Sequence, residues 1–140
     1  MSGIKNLKRI ALDSNIFIYN LEQNPQYVQF TDEIFKRLIA NQLKAATNIV
    51  SLAEILSYPE TEKVVKEITE DFFSTPNVTV FEVNQQIAIE AARIRRRYRF
   101  RFPDAIQLAT AKLAKAEAFI TNDYTLKTFT PLKVLLITEV

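Results

Sequence analysis

The sequence predicts a three-layer α/β/α sandwich around a mainly parallel sheet. Three observations carry the prediction: short apolar, often β-branched runs alternate with stretches of helical periodicity, helix-starting residues stand where those runs end, and no repeat or low-complexity tract interrupts the alternation. A chain of 140 residues, 48% of them hydrophobic, suits one domain spanning 1–140 with a single core.

Arg9-Ile10-Ala11-Leu12 reads as a first strand, stopped by Asp13-Ser14-Asn15, which favour a helix start. Tyr27, Phe30, Ile34, Phe35 and Leu38 recur at helical spacing and predict an amphipathic helix over 25–40. A second strand follows over 45–50, then a short helix over 52–57 broken by Pro59. Val64, Val65, Ile68 and Phe72 mark the next helix, and Pro76-Asn77 a turn. The run 78–83 is a third strand, after which Ile87, Ala91, Ile94 and Tyr98 form one apolar stripe. Pro103 stands at a helix start, with Ala105, Leu108, Ala109, Leu113 and Ala116 along one face. Strands over 118–120 and 134–137 complete the pattern, whose connections should be right-handed crossovers.

Composition removes several chemistries. With no His and no Cys, the chain cannot supply a Ser-His-Asp or Cys-His nucleophile system or the usual zinc site. Its one glycine, Gly3, rules out a glycine-rich phosphate cradle or a dinucleotide turn. Carboxylates remain, and these are oxygen ligands for hard cations such as Mg²⁺ or Mn²⁺, so metal-assisted hydrolysis leads by elimination. No apolar run approaches the ~20 residues needed to span a bilayer, and the first residues lack a signal-peptide core, so a cytoplasmic protein is expected.

In open α/β sheets the functional crevice lies beyond the carboxyl ends of the strands. Asp13 follows the first strand, Glu54 lies shortly after the second, and Asp123 comes directly after Ile120-Thr121-Asn122. Asp104 occupies the first turn of its own helix. Each acid alone has a purely structural reading: Asp13 as a helix cap, Asp104 as a complement to a helix dipole, Ser51-Leu52-Ala53-Glu54 as a capping box, and Asp123 as the start of a short helix. Jointly, parallel pairing would bring all four to one edge of the sheet, where carboxylates repel unless a proton or cation intervenes.

The segments Ile10-Ala11-Leu12-Asp13-Ser14-Asn15, Ser51-Leu52-Ala53-Glu54-Ile55, Pro103-Asp104-Ala105 and Ile120-Thr121-Asn122-Asp123, in that order and spacing, resemble the PIN domains, and within them the VapC-like toxins of toxin–antitoxin pairs. The resemblance runs along almost the whole chain. It implies that Asp13, Glu54, Asp104 and Asp123 are the catalytic, metal-binding acids, with Asn15 and Thr121 as hydrogen-bonding supports. It also implies a homodimer and a cognate antitoxin protein. The chain departs from its relatives in Tyr98-Arg99-Phe100-Arg101-Phe102, where Arg99 stands in place of a frequent glycine.

RNA is the expected substrate. Arg93, Arg95, Arg96, Arg97, Arg99 and Arg101 concentrate six of the 18 basic residues just before Asp104, leaving 12 against 16 acids elsewhere. Such a stretch suits phosphates, and the interleaved Tyr98, Phe100 and Phe102 suit stacking on bases. The same arginines equally suit a solvated helix face or an acidic partner, and Phe100 and Phe102 a core or interface. The expected function is therefore an Mg²⁺- or Mn²⁺-dependent endoribonuclease, the toxin of a type II pair. The alternatives are a non-catalytic PIN-like module binding RNA or protein, a receiver-like phosphoacceptor, which would want an acidic pair where Asp13-Ser14 stands, and a haloacid-dehalogenase-type phosphatase, whose second acid is replaced by Asn15.

Overall fold

The structure is a computed structural model and describes residues 3–140. The chain runs β1 (Arg9–Leu12), α1 (Ser14–Leu21), α2 (Val28–Ile39), β2 (Lys44–Asn48), α3 (Val50–Ile55), α4 (Glu62–Ser74), β3 (Val78–Phe81), α5 (Gln85–Tyr98), α6 (Phe102–Leu113), β4 (Ala118–Thr121) and β5 (Lys133–Leu136). Single 3-10 turns cover Tyr124–Thr128 and Ile137–Glu139. The five strands pair in the order β3-β2-β1-β4-β5, and every pairing is parallel, as a strand–helix alternation requires. The order reverses direction between β1 and β4, which creates a switch point at their carboxyl ends.

Alternate side chains of each central strand point to opposite faces. Ile10 and Leu12, Ala118 and Ile120, and Leu135 pack with Ile16, Phe17, Ile34, Leu38 and Phe72 of α1, α2 and α4. Ala11, Phe119 and Val134 pack on the other side with Ile87, Ile94, Leu108 and Phe129, beneath α5 and α6. Burial of both faces explains why these strands read as continuous apolar runs rather than alternating ones.

Element boundaries differ from the sequence expectations where polar side chains capture the backbone. The helix expected over 25–40 begins at Val28, because the Asn24 side chain accepts the Gln26 N–H at 2.9 Å and holds a turn. The second strand ends at Asn48, whose Oδ1 accepts the Val50 N–H at 3.0 Å and turns the chain directly into α3. The capping box at Ser51 is consequently overturned: α3 starts at Val50, so Ser51 lies inside the helix, and its hydroxyl bonds Thr47 and Gln107. Arg99 closes α5 with φ 61° and ψ 30°, so an L-residue takes the left-handed conformation that a glycine would adopt freely.

Ser51 belongs to a buried polar network crossing the molecule. Thr47 Oγ1 donates to the Leu12 carbonyl at 2.9 Å and lies 2.7 Å from Ser51 Oγ, which accepts from Gln107 Nε2. Gln107 Oε1 accepts the Asn48 N–H at 3.3 Å, and Asn48 Nδ2 donates to Thr110 Oγ1 at 3.0 Å. All five side chains are at most 1% exposed. Groups so deep are tolerable only when bonded, and here the bonding ties β1, β2, α3 and α6 together at the end of the sheet that carries the acids. Gln107→Leu keeps the volume but leaves the Asn48 amide without its acceptor. Urea denaturation should show a loss of about 1–3 kcal/mol.

Candidate active site

Asp13 continues β1 by one residue, its N–H donating to the Ile120 carbonyl at 3.0 Å. It then caps α1. Its Oδ1 accepts the Ser14 N–H at 2.8 Å, and its Oδ2 accepts the Thr121 hydroxyl of β4 at 2.7 Å. Asp13 is only 4% exposed. Burial pushes its carboxyl up to about 7 against the pull of those two hydrogen bonds, and the charges of Asp104 and Glu54 add to the rise.

Glu54 approaches from α3, half-buried. Burial raises its pKa, the Ser14 side chain opposes this by hydrogen bonding, Asp104 raises it further, and Arg101 lowers it. Asp104 sits in the first turn of α6, nearly buried, and burial again lifts its pKa. The Arg101 guanidinium, Nε to Oδ2 at 3.3 Å, works against that rise, while Asp123 adds to it. Asp123 caps the 3-10 turn that follows β4. Its Oδ1 accepts the Thr125 N–H at 3.0 Å and the Thr125 hydroxyl at 2.6 Å, and its own N–H donates to Thr121 Oγ1 at 3.1 Å. The predicted acids therefore feel one another's charge: Asp13 couples to Glu54 and Asp104, and Asp104 to Asp123. Thr121 supports both Asp13 and Asp123.

Asn15 lines a recess beside Glu54 with Ser14, Ile18, Ser57 and Tyr58. Its Oδ1 is buried without a hydrogen-bond partner. The donor set fits a hard divalent cation: buried carboxylate oxygens with raised pKa values and an unsatisfied amide oxygen nearby are what such an ion stabilises. Among the described residues, however, no three acids form a finished cage for an ion. Beside Asp104 stands the positive charge of Arg101, at 3.3 Å. Asp13 and Asp104 would hold the ion directly, and Glu54 and Asp123, which are more exposed, directly or through water.

The arginine stretch divides. Arg93 pairs with Glu90, which also binds Lys112 at 2.7 Å. Arg95 donates to the Phe100 carbonyl at 2.8 Å and lies 3.9 Å over the Phe102 ring. Arg97 stands 5.8 Å over Tyr98, and Arg96 and Arg99 are exposed. Of the three aromatics expected to stack on bases, Tyr98 and Phe100 stack on each other, with ring centroids 5.3 Å apart, and pack against Phe129 in the core. Only Phe102 is exposed.

Sequence reasoning passed over Ser14, whose amide and hydroxyl serve two different acids; its position beside Asp13 at a helix start was the available signal. It also passed over Asn122, whose Nδ2 donates to Tyr19 at 2.9 Å and Tyr27 at 3.2 Å and ties the loop before Asp123 to two stacked tyrosines.

A parallel α/β sandwich with a set of neighbouring acids at the carboxyl ends of its strands defines the class of scaffold. The family model described as PIN domain matches residues 10–130, and the chain belongs to that family. Among curated proteins none matches it. Solved structures share its fold. A chain of VapBC2 from Rickettsia felis, bound to a DNA fragment from its promoter, is 16% identical with a TM-score of 0.70, covering 91% of this chain and 98% of its own. A chain of a toxin–antitoxin complex from Klebsiella pneumoniae is 23% identical with a TM-score of 0.67, covering 94% and 99%. One from FitAcB of Neisseria gonorrhoeae is 17% identical with a TM-score of 0.68, also covering 94% and 99%. Among the described residues no helix is long and apolar enough to cross a membrane.

Proposed function

We propose that the chain is an Mg²⁺- or Mn²⁺-dependent endoribonuclease, the toxin of a type II toxin–antitoxin pair. One observation carries the reading: burial raises the pKa of Asp13 and two neighbouring acids add to the rise, an arrangement that a bound cation would relieve in place of a proton. An ion held by these acids would supply Lewis acidity and would lower the pKa of a water that attacks a phosphodiester. The chain's own residues do the rest. Thr121 and Ser14 fix the Asp13 carboxylate, Ser14 orients Glu54, and Asp104 lines the same rim. Thr121 supports this arrangement by hydrogen bonds, and Asn15, whose buried Oδ1 lacks a partner beside Glu54, would support it by facing the ion. Arg93, Arg96, Arg97, Arg99 and Arg101 would follow the phosphates of an RNA strand, and the exposed Phe102 offers a face to a base.

The partner proposed is an antitoxin, and the active form a cytoplasmic homodimer. Support comes from structural neighbours that are themselves toxin–antitoxin complexes. Exposed Leu21 and Ile39, beside a groove between α1, α2 and α4, are surfaces that a protein partner would cover. The test is cleavage of a labelled RNA by purified protein. Activity should appear with Mg²⁺ or Mn²⁺ and disappear in EDTA; cleavage that persists after chelation would refute the assignment.

A further inference from the structure

Arg101 stands where local rules disfavour it. It is the N-cap of α6, a position that prefers Ser, Thr, Asp or Asn, and it places a cation at the positive end of a helix. It makes no capping hydrogen bond. Its backbone, with φ −62° and ψ 156°, leads into Phe102-Pro103, and Asp104 three residues on brings a carboxylate under the guanidinium. The Arg101 side chain is 73% exposed while that of Asp104 is 11% exposed. Among the described residues it is the cation whose charge offsets burial at both Glu54 and Asp104. The other arginines of the stretch with assigned contacts are held elsewhere: Arg93 by Glu90, Arg95 by the Phe100 carbonyl and Phe102, and Arg97 over Tyr98.

We propose that Arg101 is an exchangeable internal counterion: its guanidinium holds Asp104 while the acids lack a divalent cation, and leaves that carboxylate for an RNA phosphate when the cation arrives. The inference rests on the metal-nuclease reading above and adds a specific competition to it. An ion pair open to solvent on its arginine side is weak, so it yields readily to a divalent charge. The freed guanidinium is a planar fork suited to two phosphate oxygens. Because it remains tethered next to Asp104, it engages a phosphate drawn to the same ion.

The exchange predicts opposite signs for two measurements on one variant. In Arg101→Met, Mn²⁺ affinity measured by calorimetry without RNA should tighten about fivefold, because a competing cation is gone. Cleavage at saturating Mn²⁺ should fall about tenfold or more, because a charged phosphate contact is lost. Arg101→Lys, which keeps the charge but not the fork, should lie between parent and Met in both. Circular dichroism should show all three equally folded, as befits an exposed side chain. Unchanged or weaker Mn²⁺ binding in the Met variant, or undiminished cleavage, overturns the exchange while leaving the nuclease reading intact. A parent protein that neither binds Mn²⁺ nor cleaves RNA overturns both.

Discussion

Asp104→Asn is expected to lower RNA cleavage about a thousandfold without unfolding the protein. The asparagine keeps the shape and one oxygen but removes the charge through which this position would hold the ion. Metal stabilisation of transition-state charge is worth several kcal/mol, and each 1.36 kcal/mol is a factor of ten in rate. The fold should tolerate the change. Asp104 lies among other acids in a buried place, its ordinary pKa already raised, so loss of its charge relieves repulsion by Asp123. Its one cationic contact, with Arg101, is exposed on the arginine side. Single-turnover cleavage of labelled RNA in saturating Mn²⁺, alongside thermal melting, checks both halves. A variant cleaving at the parent rate would remove Asp104 from the site.

The second large effect is a pH-dependent stability governed by Asp13. Its pKa rises from 3.8 to about 7 on folding, so the unfolded chain loses this proton first as pH increases. Stability from the protonated group is complete below about pH 4 and is lost as pH climbs through 7. The loss amounts to roughly 4 kcal/mol. Asp13→Asn has no such proton to lose. In EDTA its urea midpoint should match the parent's near pH 4 and exceed it increasingly up to pH 8. Mn²⁺ at pH 8 should raise the parent's midpoint more than the variant's, since only the parent offers the full carboxylate. A difference between the two proteins that stays constant with pH would contradict the buried, charge-crowded setting of Asp13.

These expectations depend on residues whose legibility in the sequence was uneven. The acids could be found because their positions are local: each follows a strand or opens a helix, and a parallel sheet carries strand ends to one rim. The fold was legible for the same reason, through period and punctuation. Side-chain partnerships across the chain were not. Thr47, Asn48 and Gln107 look like ordinary polar residues in a linear reading, and only the packing of α6 against β2 makes them one network. Ser51 was misread because its spacing from Glu54 imitates a capping box, whereas the Asn48 turn starts the helix earlier. Tyr98 and Phe100 alternate with arginines as a nucleic-acid platform would, yet Phe129, far along the chain, draws them inward.

The rim also divides by what carries its acids. α6 lies against β1 and β2, with Ala11, Ala105 and Ala109 among the buried contacts of that layer, so little side-chain bulk separates helix from sheet. Asp104 therefore shares the sheet's frame with Asp13, and the two make a fixed jaw. Glu54 stands on a helix of six residues tied to that frame through Ser51, and Asp123 at the start of a 3-10 turn, and these two make the opposing jaw. Selection among ions of different radius would then fall to the gap between the jaws, which the short supports of Glu54 and Asp123 set.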